Sequence, residues 1–158
     1  MATIPSKARK RRPAGTRNDV LRRIKRNGVV ALAGEPALIR IELIRGGLPA
    51  LVIDDTAAIL GIAKSALSEA AGIPVSTAGA KQRSGRPLSA EDSEKILRIL
   101  RATRRAEEVF GDEEEGRAWI TSPLTAFGGR RPLDYLDTQD GYELVTDELG
   151  RIAFGAPA

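Results

Sequence analysis

The chain has 158 residues, 42% hydrophobic, 29% charged and only 4% aromatic, so any core is built mainly from Leu, Ile, Val and Ala in one domain or two small ones. It contains neither Cys nor His, which excludes disulfides, thiolate catalysis, Cys- or His-based metal sites and serine–histidine chemistry. The formal net charge of +4 is unevenly spread: residues 1–30 carry about +9 and residues 111–158 about −6, so one end suits anions and the other a basic surface.

Residues 1–30 read as a basic, flexible extension. Lys7, Arg9, Lys10, Arg11 and Arg12 run beside Pro13 and Gly15, and Arg22, Arg23, Lys25 and Arg26 surround Val20, Leu21 and Ile24 in a piece that could become helical when bound. A second region, 31–88, carries a series of short helices. Pro36 and the Gly46-Gly47 pair bracket a helix over 36–45, although Ile39–Leu43 also alternates like a strand. Pro49 opens another segment that ends at Gly61; Lys64–Ala71 and Val75–Arg83 follow, separated by the turn Gly72-Ile73-Pro74. The third region, 89–158, begins with the clearest helix. Ser89 reads as its N-cap with Asp92 three residues on, Ile96, Leu97, Ile99, Leu100, Thr103, Ala106, Val109 and Phe110 keep helical spacing, and Gly111 stops it. Arg98, Arg101, Arg104 and Arg105 fall largely off that face. Asp112–Ile120 is a short helix with acids in its first turn. Pro132–Leu136 is a single turn, and Thr138 caps a last helix whose Tyr142, Val145, Leu149 and Ile152 share one face. The fold class is all-α, a helix-turn-helix unit followed by a small helical unit and joined by a long helix.

Leu67–Lys81 fits a helix-turn-helix, with Gly72 at the turn and Ile73 and Ala78 filling the space between two steeply crossed helices. The second helix then offers Ser76, Thr77, Lys81, Gln82 and Arg83 to DNA, hydroxyls and the amide toward base edges or phosphates and the cations toward the backbone. A shifted register, with Ala57 and Gly61 as the packing pair and Lys64–Ala71 as the reading helix, offers only Lys64, Ser65 and Ser68. Gly79 weakens the preferred helix by about 1 kcal/mol relative to Ala.

After Asp112 the apolar residues are too few for an independent core. Some must pack on the long helix and others are free to form a binding patch. Trp119 reads as a core anchor, and Glu113-Glu114-Glu115 as a helix start facing water. The order Glu108-Val109-Phe110-Gly111, Ala118-Trp119-Ile120, Pro123, Leu124, Gly128-Gly129, Pro132, Leu136, Thr138, Gly141, Val145, Leu149, Ile152 resembles the toxin-binding domain of the Xre/MbcA/ParS-type antitoxins. The middle third is similar to the Xre-like helix-turn-helix domain through Gly72-Ile73, Ser76-Thr77, Leu88-Ser89 and Ser93, with Ala78-Gly79 smaller than the family's usual residues.

The resemblance implies a RES-domain toxin as partner, one that consumes NAD or uses it for ADP-ribosylation, in a 2:2 or larger complex. It implies an antitoxin that blocks the toxin's NAD pocket and represses its own operon at operator DNA. The residues it points to for toxin contact are Leu124, Phe127, Gly129, Arg130, Arg131, Tyr135, Arg151, Ile152 and Phe154. A homodimer is expected because helix-turn-helix readers usually bind two half-sites. No catalytic residue, cofactor or metal ligand is expected. No apolar run approaches the roughly 20 residues of a membrane span, and no apolar stretch of a secretory signal follows the basic start, so a bacterial cytoplasmic location is expected. The rival readings are a stand-alone transcription regulator with a C-terminal dimerisation domain, a small enzyme working through Asp134 and Asp137, and a bare nucleic-acid-binding protein.

Overall fold

A computed structural model describes residues 17–155. The all-α expectation holds: the described residues contain no strand, only two isolated bridges, Pro49 with Pro87 and Leu124 with Arg130. Helix α1 (Arg17–Asn27) leads into a 3-10 helix (Val29–Gly34), then α2 (Ala37–Gly46), α3 (Val52–Leu60), α4 (Lys64–Ala71), α5 (Val75–Ser84) and α6 (Ala90–Phe110). Helix α7 (Glu113–Thr121), two 3-10 turns (Thr125–Phe127 and Pro132–Tyr135) and α8 (Gln139–Ala153) complete the chain.

The local punctuation acts as its chemistry dictates. The Ser89 hydroxyl accepts from the Asp92 amide at 3.0 Å, the Asp112 carboxylate from the Glu115 amide at 2.8 Å, and the Thr138 hydroxyl from the Gly141 amide at 3.1 Å. Each satisfies a donor that the first turn of a helix leaves without an intrahelical partner.

Helix α6 is the spine. Ile96, Leu97, Ile99, Leu100, Ala102 and Ala106 are all buried. The 3-10 helix Val29–Gly34, α2, α3 and α4 pack on α6 from the N-terminal half, and α7 and α8 from the C-terminal half. One continuous cluster therefore runs from Val20 through the helix-turn-helix region to Val145 and Leu149. Ile120, Leu133, Leu136, Val145 and Leu149 lose all exposure, as a C-terminal segment without a core of its own requires.

Two expectations need correction. The folded chain begins inside the basic segment, where the sequence suggested a tail: Arg17–Asn27 is helical, and Val20, 1% exposed, is part of the core. Residues 1–16, with the first basic run, lie outside the described residues. Arg98 does not lie off the packed face of α6. It is 9% exposed, and its guanidinium donates to the carbonyls of Leu136 (3.3 Å) and Asp137 (3.0 Å) with Glu94 3.6 Å away. Those carbonyls end the Pro132–Tyr135 turn, so one cation fastens the C-terminal segment to the spine.

Close approach also dictates glycine. A Cβ on Gly141 would lie 2.6 Å from the Tyr135 carbonyl carbon, and one on Gly116 2.5 Å from the Glu107 amide nitrogen. Nothing lies within 4 Å of the same atom on Gly150. All three are helical, where alanine is favoured by about 1 kcal/mol. At Gly116 and Gly141 the backbone collision should exceed that gain, so alanine is expected to destabilise by about 2 kcal/mol or more. Gly150→Ala should stabilise by up to about 1 kcal/mol. Urea unfolding of the three variants checks the opposite signs.

Candidate functional site

The two helix pairs that could read DNA are both built. Gly61 and Gly72 each end a helix in the left-handed region (φ 65° and 63°), and the Ile73 amide closes the second turn on the Ser68 carbonyl at 2.8 Å. Leu67, Ala71, Ile73 and Ala78 are buried between α4 and α5, the packing expected of a helix-turn-helix.

The side chains distinguish the pairs. On α4, Ser68 is buried, and Lys64 is held by Asp54 (2.9 Å) and donates to Gln82 Oε1 (2.6 Å), which leaves only Ser65 exposed of the three alternatives. On α5, Ser76 and Arg83 are exposed and Thr77 is half-buried. Lys81 is partly engaged, donating to the Pro87 carbonyl at 3.1 Å. Gln82 is not directed outward: its amide nitrogen donates to Asp54 Oδ2, so with Lys64 it ties α5 to α3 and α4. Ser76 and Arg83 are thus accessible on α5, Thr77 partly so, and Gln82 braces α5 against α3 and α4.

The second site forms at the other end of α6. Phe110, Trp119, Phe127 and Tyr135 pack in series through tilted and edge-to-face contacts, with centroids 6.1, 5.8 and 5.5 Å apart, and link α6, α7 and the loop that follows. The loop is a tight turn. The Leu124 amide donates to the Arg130 carbonyl (3.0 Å), the Gly129 amide to the Leu124 carbonyl (2.9 Å), and the Tyr135 hydroxyl to the Phe127 carbonyl (3.0 Å). Gly128 and Gly129 sit at φ 64° and 81°, which side-chain-bearing residues adopt only under strain. Beside the turn, Phe110, Trp119, Leu124, Thr125, Ala126 and Ile152 wall a groove of about 300 Å³ with Glu148 at its edge.

The expected contact residues fall into two groups. Leu124 and Ile152 line the groove, Arg130 and Gly129 are exposed on the turn, and Phe154 projects at 93% exposure. Arg151 is exposed and pairs with Glu148 at 3.1 Å. Phe127, 4% exposed, belongs to the core, and Tyr135 is half-buried with its hydroxyl occupied. Arg131 forms a forked pair with Asp134, its Nη2 2.6 Å from Oδ1. These three shape the turn. Trp119, expected as a core anchor, is only half-buried and walls the groove, and Ile120 beside it takes the buried position. Helical spacing could have distinguished the neighbours only if the helix facing them were known.

Residues 105–155 match the antitoxin Xre/MbcA/ParS C-terminal toxin-binding domain, and residues 39–101 match the antitoxin Xre-like helix-turn-helix domain. The chain is 30% identical over 128 residues to the Prs ADP-ribosylating antitoxin of Sphingobium sp. (strain YBL2), an alignment spanning 74% of this chain and 79% of that protein. It belongs to the Xre/MbcA/ParS antitoxin family. Antitoxin Xre of Yersinia enterocolitica is 28% identical over 127 residues (80% of this chain, 86% of the relative), and Antitoxin Xre of Pseudomonas putida 32% over 83 residues (52% of each). This Xre-family antitoxin therefore carries its helix-turn-helix on α2–α6 and its toxin-binding domain from the last turns of α6 to α8.

The Arg131 guanidinium holds the Asp134 carboxyl below its ordinary pKa, by hydrogen bonding first. A carboxylate-pair enzyme would need the opposite shift in one partner. Because the folded-state value is the lower one, the pair stabilises the fold above the unfolded carboxylate pKa of about 3.9, and the contribution is lost as pH falls through the folded value. Asp134→Asn should cost at most about 1 kcal/mol at pH 7, since the pair is partly solvated. The gap from the parent should close on acidification below about pH 4. Thermal melts of both proteins across pH 2.5–7 check the convergence.

Proposed function

We propose that this antitoxin neutralises a RES-domain toxin by seating its C-terminal unit over the toxin's NAD pocket, and that its helix-turn-helix unit represses its own operon as a dimer on operator DNA. The observation that carries the reading lies within the matched toxin-binding domain: exposed Gly129, Arg130 and Phe154 stand near a groove walled in part by half-buried Leu124 and Ile152. A 93% exposed phenylalanine at the end of α8 is the kind of aromatic anchor that fills a pocket on a partner. Arg130 stands on a rigid two-glycine turn, which limits the ordering cost of contact. Phe127, Arg131 and Tyr135 act in this reading by holding the turn. The acidic surface of α7 and α8 meets the cationic groups that would otherwise hold the pyrophosphate of NAD. The Sphingobium relative, the Prs ADP-ribosylating antitoxin, has a name compatible with this class of toxin.

Co-expression with the adjacent reading frame tests the whole reading. Growth arrest and NAD loss caused by the neighbour should be relieved by the full chain and restored when residues after Leu149 are removed. Full protection by that truncated form would overturn the pocket-covering mechanism. Phe154→Ala isolates contact from folding. Its melting temperature should not change, and toxin affinity should fall roughly tenfold or more in a direct titration.

At the DNA end, Ser76, Thr77, Lys81 and Arg83 are assigned to contact and Gln82 to bracing α5. Arg83→Ala should weaken binding across sequences and lower the slope of log affinity against log salt by about one. Gln82→Ala should leave that slope unchanged and reduce stability by about 1 kcal/mol. Salt titrations on an operator fragment, paired with urea unfolding, distinguish the two roles.

A further inference from the structure

An arginine-walled cleft lies at the junction of the two units, away from both sites described above. Arg101, Arg104 and Arg105 project from α6, Arg40 from α2, and Tyr142 from α8, around an open space of about 350 Å³. Its floor includes the Ala33-Gly34 backbone, and because Gly34 has no side chain the Arg104 guanidinium lies directly against it. Arg104 is about 22 Å along α6 from Ser89, so the cleft is far from the α5 end of the helix.

The charges are incompletely matched. Glu108 is the one carboxylate lining the cleft, and it serves both Arg104 (3.0 Å) and Arg105 (3.8 Å). Arg40 and Arg101 have no carboxylate partner among the described residues. Arg40 donates to the Glu35 carbonyl, and Arg101 stacks over the Tyr142 ring at 4.8 Å. Cations brought this close repel one another, and a ring face or a carbonyl compensates less than an anion does.

We infer that this cleft binds a compact, multiply charged phosphate ligand of the diphosphate class. A single carboxylate would satisfy one guanidinium fork. Four guanidinium groups lining one small space, with a single carboxylate among them, fit an anion that carries two or more charges on adjacent tetrahedral groups. The volume lies within the range of small-ligand sites and leaves room for a diphosphate with at most a modest organic substituent. Arg40 comes from the region matched to the helix-turn-helix domain, and Arg105 and Tyr142 from the toxin-binding domain, so such a ligand would bridge the two units.

The diphosphate could come from a free nucleotide or from inorganic pyrophosphate, and the full-length chain titrated calorimetrically at fixed ionic strength separates these sources. The probes are pyrophosphate, ADP, AMP, sulfate and a 20-base-pair duplex. Pyrophosphate or ADP should bind and AMP and sulfate should bind at least about tenfold more weakly. Tighter binding of ADP than of pyrophosphate identifies a nucleotide, and the reverse order the inorganic anion. Arg40→Gln and Arg101→Gln should each lower affinity roughly tenfold, whereas Arg86→Gln, at an exposed arginine outside the cleft, should have no effect. Arg105→Lys, which retains charge but not the fork and avoids the Tyr142 contact, guards against loss through misfolding and should weaken binding severalfold with an unchanged melt. The inference is overturned if neither diphosphate binds at millimolar concentration, if Arg40→Gln and Arg101→Gln bind as the parent does, or if only the duplex binds in a cleft-dependent way.

Discussion

Both halves of this protein depend on burial against a single helix. Helix α6 is about 32 Å long, and its buried residues run from Ser93 to Ala106. The N-terminal helices and the C-terminal segment are each too small to bury enough surface alone. A helix shared in this way makes stability cooperative across the two functions. It also explains the backbone-level contacts at Gly116 and Gly141, because α7 and α8 must come close to reach the spine and the turn beside it. Arg98 belongs to the same constraint. It is a cation placed under the edge of the C-terminal unit, and the carbonyls of Leu136 and Asp137 occupy its donors.

What was legible in the sequence was local. Ser89 with Asp92, Thr138, and the glycines at 61, 72 and 111 act through atoms a few residues away, and the helices begin and end within about two residues of where those signals place them. The turn around Gly128-Gly129 was legible for the same reason. What was hidden depends on partners distant in the chain. Arg98 counts as polar in any periodicity argument, yet its long stem lies along apolar surface and its head finds carbonyls 38 and 39 residues away. Gln82 has the chemistry of a base reader, but Asp54 and Lys64, 28 and 18 residues earlier, occupy its amide. Trp119 and Ile120 are adjacent and both apolar, and only the position of α6 decides which of them is buried. Val20 was masked by the cations around it.

The same distinction applies to the candidate contact surface. Of the residues singled out beside the two-glycine turn, those that are exposed belong to the turn's apex and the end of α8. Phe127, Arg131 and Tyr135 face inward and fix its shape. A binding loop needs both kinds, since a rigid loop loses less entropy on contact than one that must be ordered first. Sequence order identifies the loop as a unit but cannot divide it, because the division follows from which way each side chain leaves a backbone that has already folded.

Charge along the chain and charge in space also differ, and the difference bears on function. By sequence the molecule has a basic start and an acidic end. In the fold, α6 carries arginines into the acidic half, where Arg104 and Arg105 share Glu108 and Arg101 faces Tyr142 of α8. The boundary between the units is therefore cationic although the C-terminal segment is acidic. A ligand that binds one unit changes the affinity of the other only if it makes different contacts in two states of the whole. With one helix supplying core to both units and carrying three of the four arginines, a shift of α2 along α6 changes how closely Arg40 approaches those cations, and a shift of α8 changes the ring face that Tyr142 presents to Arg101.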